Sequence, residues 1–159
     1  MPKITLMMWY DTQAEEAANL YVSVFKNSKI TGISHFPDDS THGTPGGVMT
    51  VDFELDGQQY TALNGGPFFQ FNESVSLVVH CKDQEEVDYY WDALIKDGGQ
   101  ESDCGWLKDK FGMSWQITPQ ILLDYMVDPD PEKAKRVHNA MLTMKKLDVQ
   151  ALQDAYDAK

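Results

Sequence analysis

Few side chains in this sequence could carry proton or nucleophile chemistry, and their spacing narrows the choice further. Of the four histidines, His35 falls on a strand end, His42 in a loop and His138 on a helix, with no spacing that would let them share a metal. His80 closes the alternating run Ser74–Cys81 and is the best candidate for a general acid or base near neutral pH. Asp52 is the other. In Val48–Leu55, Thr50 and Asp52 lie opposite Met49, Val51 and Phe53, so Asp52 could act as a base or pair with a cationic ligand. Each has a plainer reading: His80 as a strand-end histidine hydrogen-bonded locally, Asp52 as an exposed cross-strand residue. Cys81 and Cys104 are isolated thiols, too few for a disulfide framework and not at metal-ligand spacing.

The elements that must position these residues form an internal repeat. Glu15-Glu16-Ala17, Leu20-Tyr21 and Val24-Phe25-Lys26 match Glu85-Glu86-Val87, Tyr90-Trp91 and Leu94-Ile95-Lys96 at a constant offset. In both segments the apolar members recur at i, i+3/i+4 and i+7/i+8, the pattern of an amphipathic helix. Acidic residues in the first turn and lysine near the last suit the helix dipole. A strand precedes each helix, Ile4–Tyr10 and Ser74–Cys81. Lys29–Phe36, Val48–Leu55 and Gln58–Asn64 follow the first, with Asp56-Gly57 as a hairpin turn. About Gln100–Cys104, Trp106–Lys108 and Met113–Thr118 follow the second, with a tight turn at Lys110-Phe111-Gly112. Each half therefore reads strand-helix-strand-strand-strand, an α+β pattern of paired βαβββ modules.

The expected organisation is one paired domain over residues 1–118, with halves at about 4–64 and 74–118, followed by a helical extension over 119–159. Asp130-Pro131 and Asp148 look like helix starts there, and Ala134, Val137, Met141 and Met144 could form an apolar stripe. That extension serves packing or a dimer interface. Phe68-Phe69-Gln70-Phe71, between the halves, reads as a hydrophobic plug or as interface. Trp106 either stacks on a ligand or packs a sheet edge.

Twenty-five acidic against thirteen basic residues give a net charge of −12, which repels nucleic acid and anionic membrane surfaces. No apolar run reaches the eighteen or so residues of a membrane span, and the first ten residues lack a signal-peptide pattern, so a cytoplasmic protein is expected.

Two such units, together with Ala14-Glu15-Glu16-Ala17, Ala62-Leu63-Asn64-Gly65-Gly66, Cys104–Gly112 and Trp115-Gln116, resemble the PhnB-like branch of the vicinal-oxygen-chelate superfamily. That group includes glyoxalase I, bleomycin-resistance proteins and extradiol dioxygenases, and the likeness runs over about residues 4–146. Members of the branch often carry the label 3-demethylubiquinone 3-methyltransferase, although no strand, glycine-rich loop and helix is present here to hold S-adenosylmethionine. The resemblance implies a glyoxalase-like fold, a small-molecule ligand and a homodimer.

It also implies where a metal would sit in superfamily enzymes: on the first and last strands of each half. Those places fall here at Leu6, Ser76, Gln116 and either Ala62 or Asn64. Leucine cannot ligate, and neutral amide and hydroxyl oxygens compete poorly for zinc, nickel or iron, so neither metal nor other cofactor is expected. If Ser76 and Gln116 face a cleft, then Val78, His80, Ser114 and Thr118 share that face, and the same count turns Leu6, Met8 and Tyr10 inward. The candidate site is thus Tyr10, Asn64, Ser76, Trp106 and Gln116 for binding, with His80 or Asp52 for any acid–base step. The expected function is metal-independent binding of a small molecule. An acid–base enzyme on a small substrate is the first alternative, and a metal-dependent lyase or dioxygenase the second.

Overall fold

The computed structural model describes residues 3–158, which divide into two compact units at Phe71 and Asn72. In the first unit, β1 (Leu6–Tyr10) leads into α1 (Ala14–Val24), followed by β2 (Lys29–His35), β3 (Val48–Leu55) and β4 (Gln58–Asn64). The sheet order is β1-β4-β3-β2, with β1 parallel to β4 and the other pairs antiparallel. Asp56 and Gly57 both adopt positive φ, the mirror-image turn that two-residue hairpins need. Helix α1 buries Ala14, Ala17, Ala18, Tyr21 and Val24 among Met8, Val51, Phe53 and Ala62 of the core. Small alanines let it lie close to the sheet.

The second unit repeats the plan with β5 (Ser76–Cys81), α2 (Gln84–Ile95), β6 (Gln100–Glu101), β7 (Trp106–Lys108) and β8 (Ser114–Pro119) in the order β5-β8-β7-β6. Val87, Trp91 and Leu94 of α2 are buried, as are Leu107, Met113, Trp115 and Ile117. The two helices start differently. Asp83 caps α2 by accepting from the Glu86 N–H at 3.0 Å, while Glu86 reaches back to the Lys82 N–H at 2.9 Å. Gln13 makes no side-chain cap for α1, and the Ala14 N–H instead donates to Asn64 Oδ1 at 2.8 Å, fifty residues away.

The helices α3 (Gln120–Met126), α4 (Pro131–Met141) and α5 (Val149–Asp157) belong to the second unit. Leu122, Val137, Leu147 and Leu152 form their own small core. Asp130 and Asp148 cap α4 and α5 through the N–H groups of Glu132 and Ala151. The chain between α4 and α5 is bonded to the turn that leads into β7: the Cys104 and Gly105 N–H groups donate to the Met144 and Lys145 carbonyls, each at 2.7 Å. Gln84 adds two more bonds, to Leu147 and Val149. Residues 119–158 are therefore built onto the second βαβββ module through backbone pairing as well as packing. No helix among the described residues is long and apolar enough to cross a membrane.

Candidate functional site

The open face of the second sheet carries the alternation read from the sequence. Trp115 and Ile117 are buried on the α2 side, while Val78, His80, Gln116 and Thr118 share the other face. In register, Val78 lies beside Gln116 and His80 beside Thr118, and across the hairpin Trp106 pairs with Gln116. These side chains form one wall of a pocket of about 450 Å³, and Leu122, Leu123, Met126 and Met141 of the C-terminal helices form the other. That volume falls in the range of small-molecule sites, as does a mostly apolar wall with a few polar groups.

Gln116 is oriented by donating from Nε2 to Ser76 Oγ at 2.9 Å, so Ser76 acts on the pocket through Gln116. The His80 imidazole is exposed on the wall and has no hydrogen bond among the described residues. Its ring nitrogens are therefore available to a bound molecule. Cys81, one residue on, points the opposite way and is buried; burial, then the charges of Glu86 and Asp83, push its thiol up to about 12. It is a packing residue.

A buried carboxylate at the turn before β8 was not picked out in the sequence. Asp109, 2% exposed, accepts from the Phe111 and Met113 N–H groups at 2.9 and 3.1 Å and from the Trp115 indole N–H at 2.9 Å. It ties the turn to β8 and so sets the hairpin that presents Trp106 and Gln116. Its signal lay in the sequence Asp109-Lys110-Phe111-Gly112, where an aspartate opens a turn ended by a positive-φ glycine.

The first sheet departs from the expected parity. Tyr10 is 3% exposed, and its hydroxyl lies 3.1 Å from that of Tyr21 on α1, so Tyr10 and Met8 belong to the core beneath the helix. The reason is one residue of loop. Three residues join β1 to α1 but two join β5 to α2, so aligning the helices shifts the strands by one, which inverts the face of every side chain. Trp9, not Tyr10, is the counterpart of His80, and the counterpart of Ser76 moves from Leu6 to Thr5.

Asn64 is half-buried and structurally committed: Oδ1 accepts from the Ala14 N–H at 2.8 Å and Nδ2 donates to the Val48 carbonyl at 3.0 Å. Asp52 is exposed and accepts from Thr61 Oγ1 at 2.6 Å, a cross-strand pair on the open face. Of the linker aromatics, Phe69 and Phe71 meet Trp9 and Tyr10 edge-on, while Phe68 is 80% exposed.

The residues at the superfamily's metal places do not fit a resident divalent ion. Ala62 is fully buried, Asn64 Oδ1 is taken by the Ala14 N–H, and Ser76 and Gln116 offer only neutral oxygens. Among the described residues no group of three or more His, Cys, Asp or Glu is placed to hold a metal.

Two four-stranded sheets of this topology, each with a helix between its first and second strands and an open face opposite, define a vicinal-oxygen-chelate fold. Within that class the chain belongs to the PhnB-like family described as 3-demethylubiquinone-9 3-methyltransferase, whose profile matches residues 2–118. A PhnB protein from Bacillus cereus is 34% identical, with 74% of this chain and 99% of that one covered at a TM-score of 0.68. The fold is shared at 13% identity with the fosfomycin resistance protein FosX from Mesorhizobium loti, covering 78% and 99% of the two chains at 0.53. FosX from Listeria monocytogenes, whose structure contains Mn(II) and sulfate, is 16% identical over 72% and 90% at 0.52. No curated protein matches the chain.

Proposed function

We propose that this protein binds a small, largely apolar molecule in the second unit's pocket without a resident metal. The reading rests on the convergence of His80, Trp106 and Gln116 on one wall closed by Leu122, Leu123, Met126 and Met141. Such a wall offers one aromatic face, one amide held in place by Ser76, and one imidazole with no hydrogen bond among the described residues. The amide and imidazole orient the ligand, and the leucines and methionines supply most of the contact area. Methionine is suited to following an irregular ligand surface.

Neither methyl transfer nor metal-assisted chemistry draws support from these residues. The strand-to-helix connections, Asp11–Gln13 and Lys82–Asp83, contain no glycine that would bring backbone N–H groups against a nucleotide. An acid–base reaction through His80 is the second reading, favoured by its uncommitted ring nitrogens. Asp52 sits in the first unit and is engaged by Thr61.

The test has two stages. Native mass spectrometry of the freshly purified chain identifies any co-purifying molecule, which is then titrated into wild type and His80→Ala. A binder loses about 1–2 kcal/mol of affinity, the scale of one hydrogen bond or packing contact. A rate loss of about 100-fold or more in folded His80→Ala, with affinity unchanged, would establish the enzyme instead.

A further inference from the structure

We propose that the first unit carries a separate site for a small organic cation with an apolar body, in the crevice beyond the ends of β1 and β4. This crevice has a volume of about 960 Å³, roughly twice that of the pocket described above. It is bounded by the ends of two parallel strands, the start of α1 and the loop between β2 and β3.

Its aromatic walls are held in fixed positions. The Trp9 indole donates from Nε1 to the Gly66 carbonyl at 2.8 Å, and the backbone of Gly65 lies so close that a Cβ there would come within 2.3 Å of the ring. Gly43 approaches Phe36 in the same way, where a Cβ would stand 2.4 Å from the ring. Glycine at both positions lets backbone pack flat on the rings. The loop bearing Gly43 is closed at its base by the Phe36 N–H to Gly47 carbonyl bond of 2.8 Å. Phe68 lines the crevice as well and is largely exposed.

The fixed charge on these walls has one sign. Asp11 and Glu15 line the crevice and no lysine or arginine does. Neither carboxylate has a hydrogen bond or ion pair among the described residues. The amide of Asn64 on the same wall is used at both ends. Glu15 lies in the first turn of α1, and Asp11 in the connection that leads into it. An anion entering the crevice meets two carboxylates and no lysine or arginine, His42 being the other titratable side chain on the wall. A cation gains two carboxylates and the faces of aromatic rings, whose quadrupoles attract positive charge. Fixed rings lower the ordering cost of binding.

The experiment titrates benzyltrimethylammonium, and in parallel its uncharged carbon isostere neopentylbenzene, into the full chain at low salt. Binding is read from the Trp9 indole N–H resonance, assigned with Trp9→Phe. The cation should shift that resonance and bind at least about ten-fold more tightly than the isostere. Asp11→Asn and Glu15→Gln should each weaken it by about five-fold, and together by about 25-fold. His80→Ala, in the other unit, should leave it unchanged, which separates this site from the proposed small-molecule pocket. Equal binding of the two probes, no shift of the Trp9 resonance at saturation, or unchanged affinity in the double carboxylate variant would overturn the proposal.

Discussion

Replacing Asp109 by asparagine tests whether one buried carboxylate organises the hairpin that presents Trp106 and Gln116. The native carboxylate receives three N–H groups, two from the turn backbone at Oδ1 and one from the Trp115 indole at Oδ2. Asparagine can keep the two backbone bonds through its oxygen, but its amide nitrogen then faces the indole N–H, donor against donor. One charge-assisted bond is lost at about 1.5–3 kcal/mol, and the other two weaken as their acceptor loses its charge. A destabilisation of about 2–4 kcal/mol is expected for Asp109→Asn, and about 3–5 kcal/mol for Asp109→Ala, which leaves all three donors unsatisfied. Guanidinium unfolding followed by far-UV circular dichroism measures the loss, and the near-UV band reports on Trp115. Trp115→Phe supplies the internal control: with no indole N–H to oppose the amide, the Asp109→Asn penalty should shrink by the share of that one bond, about 1.5–3 kcal/mol. An Asp109→Asn protein within about 0.5 kcal/mol of wild type, or an unchanged penalty in the Trp115→Phe background, would refute the argument.

Two further perturbations follow from the second unit. Gly105 has φ +83°, and a Cβ there would stand 2.9 Å from Leu147 Cδ1 and 3.0 Å from the Ile117 carbonyl; Gly105→Ala should therefore cost about 2–4 kcal/mol in thermal denaturation, loosening the C-terminal helices from the sheet. Cys81, 1% exposed with its thiol pushed up to about 12, should resist a disulfide reagent at pH 8 while the half-buried Cys104 reacts. Because the folded state holds the Cys81 proton above the ordinary value of 9.0, the unfolded chain releases it first, and stability should fall as pH rises from about 9 toward 12. A flat stability profile over that interval in wild type, identical to that of Cys81→Ala, would remove this contribution.

Periodicity and turn chemistry were enough to reveal both βαβββ modules, the hairpin at Asp56-Gly57 and the caps at Asp130 and Asp148, because each depends on residues close along the chain. The alternation of β5 and β8 likewise put His80 and Gln116 on one face, since a strand's side chains have a period of two whatever surrounds them. Tertiary structure decided what depends on distant contacts or on a single residue of register. Tyr10 went to the core because one extra residue between β1 and α1 displaced the strand relative to the repeat, and a period of two turns that displacement into a reversal. Asn64 became a clamp between Ala14 and Val48 because α1 lacks a local side-chain cap and a residue fifty positions away supplies the acceptor. The far wall of the second unit's pocket came from helices that looked like an appendix. An amphipathic stripe announces that it will bury a face, but the partner it finds is set by packing, and here Met144 and Lys145 dock by backbone bonds onto Cys104 and Gly105.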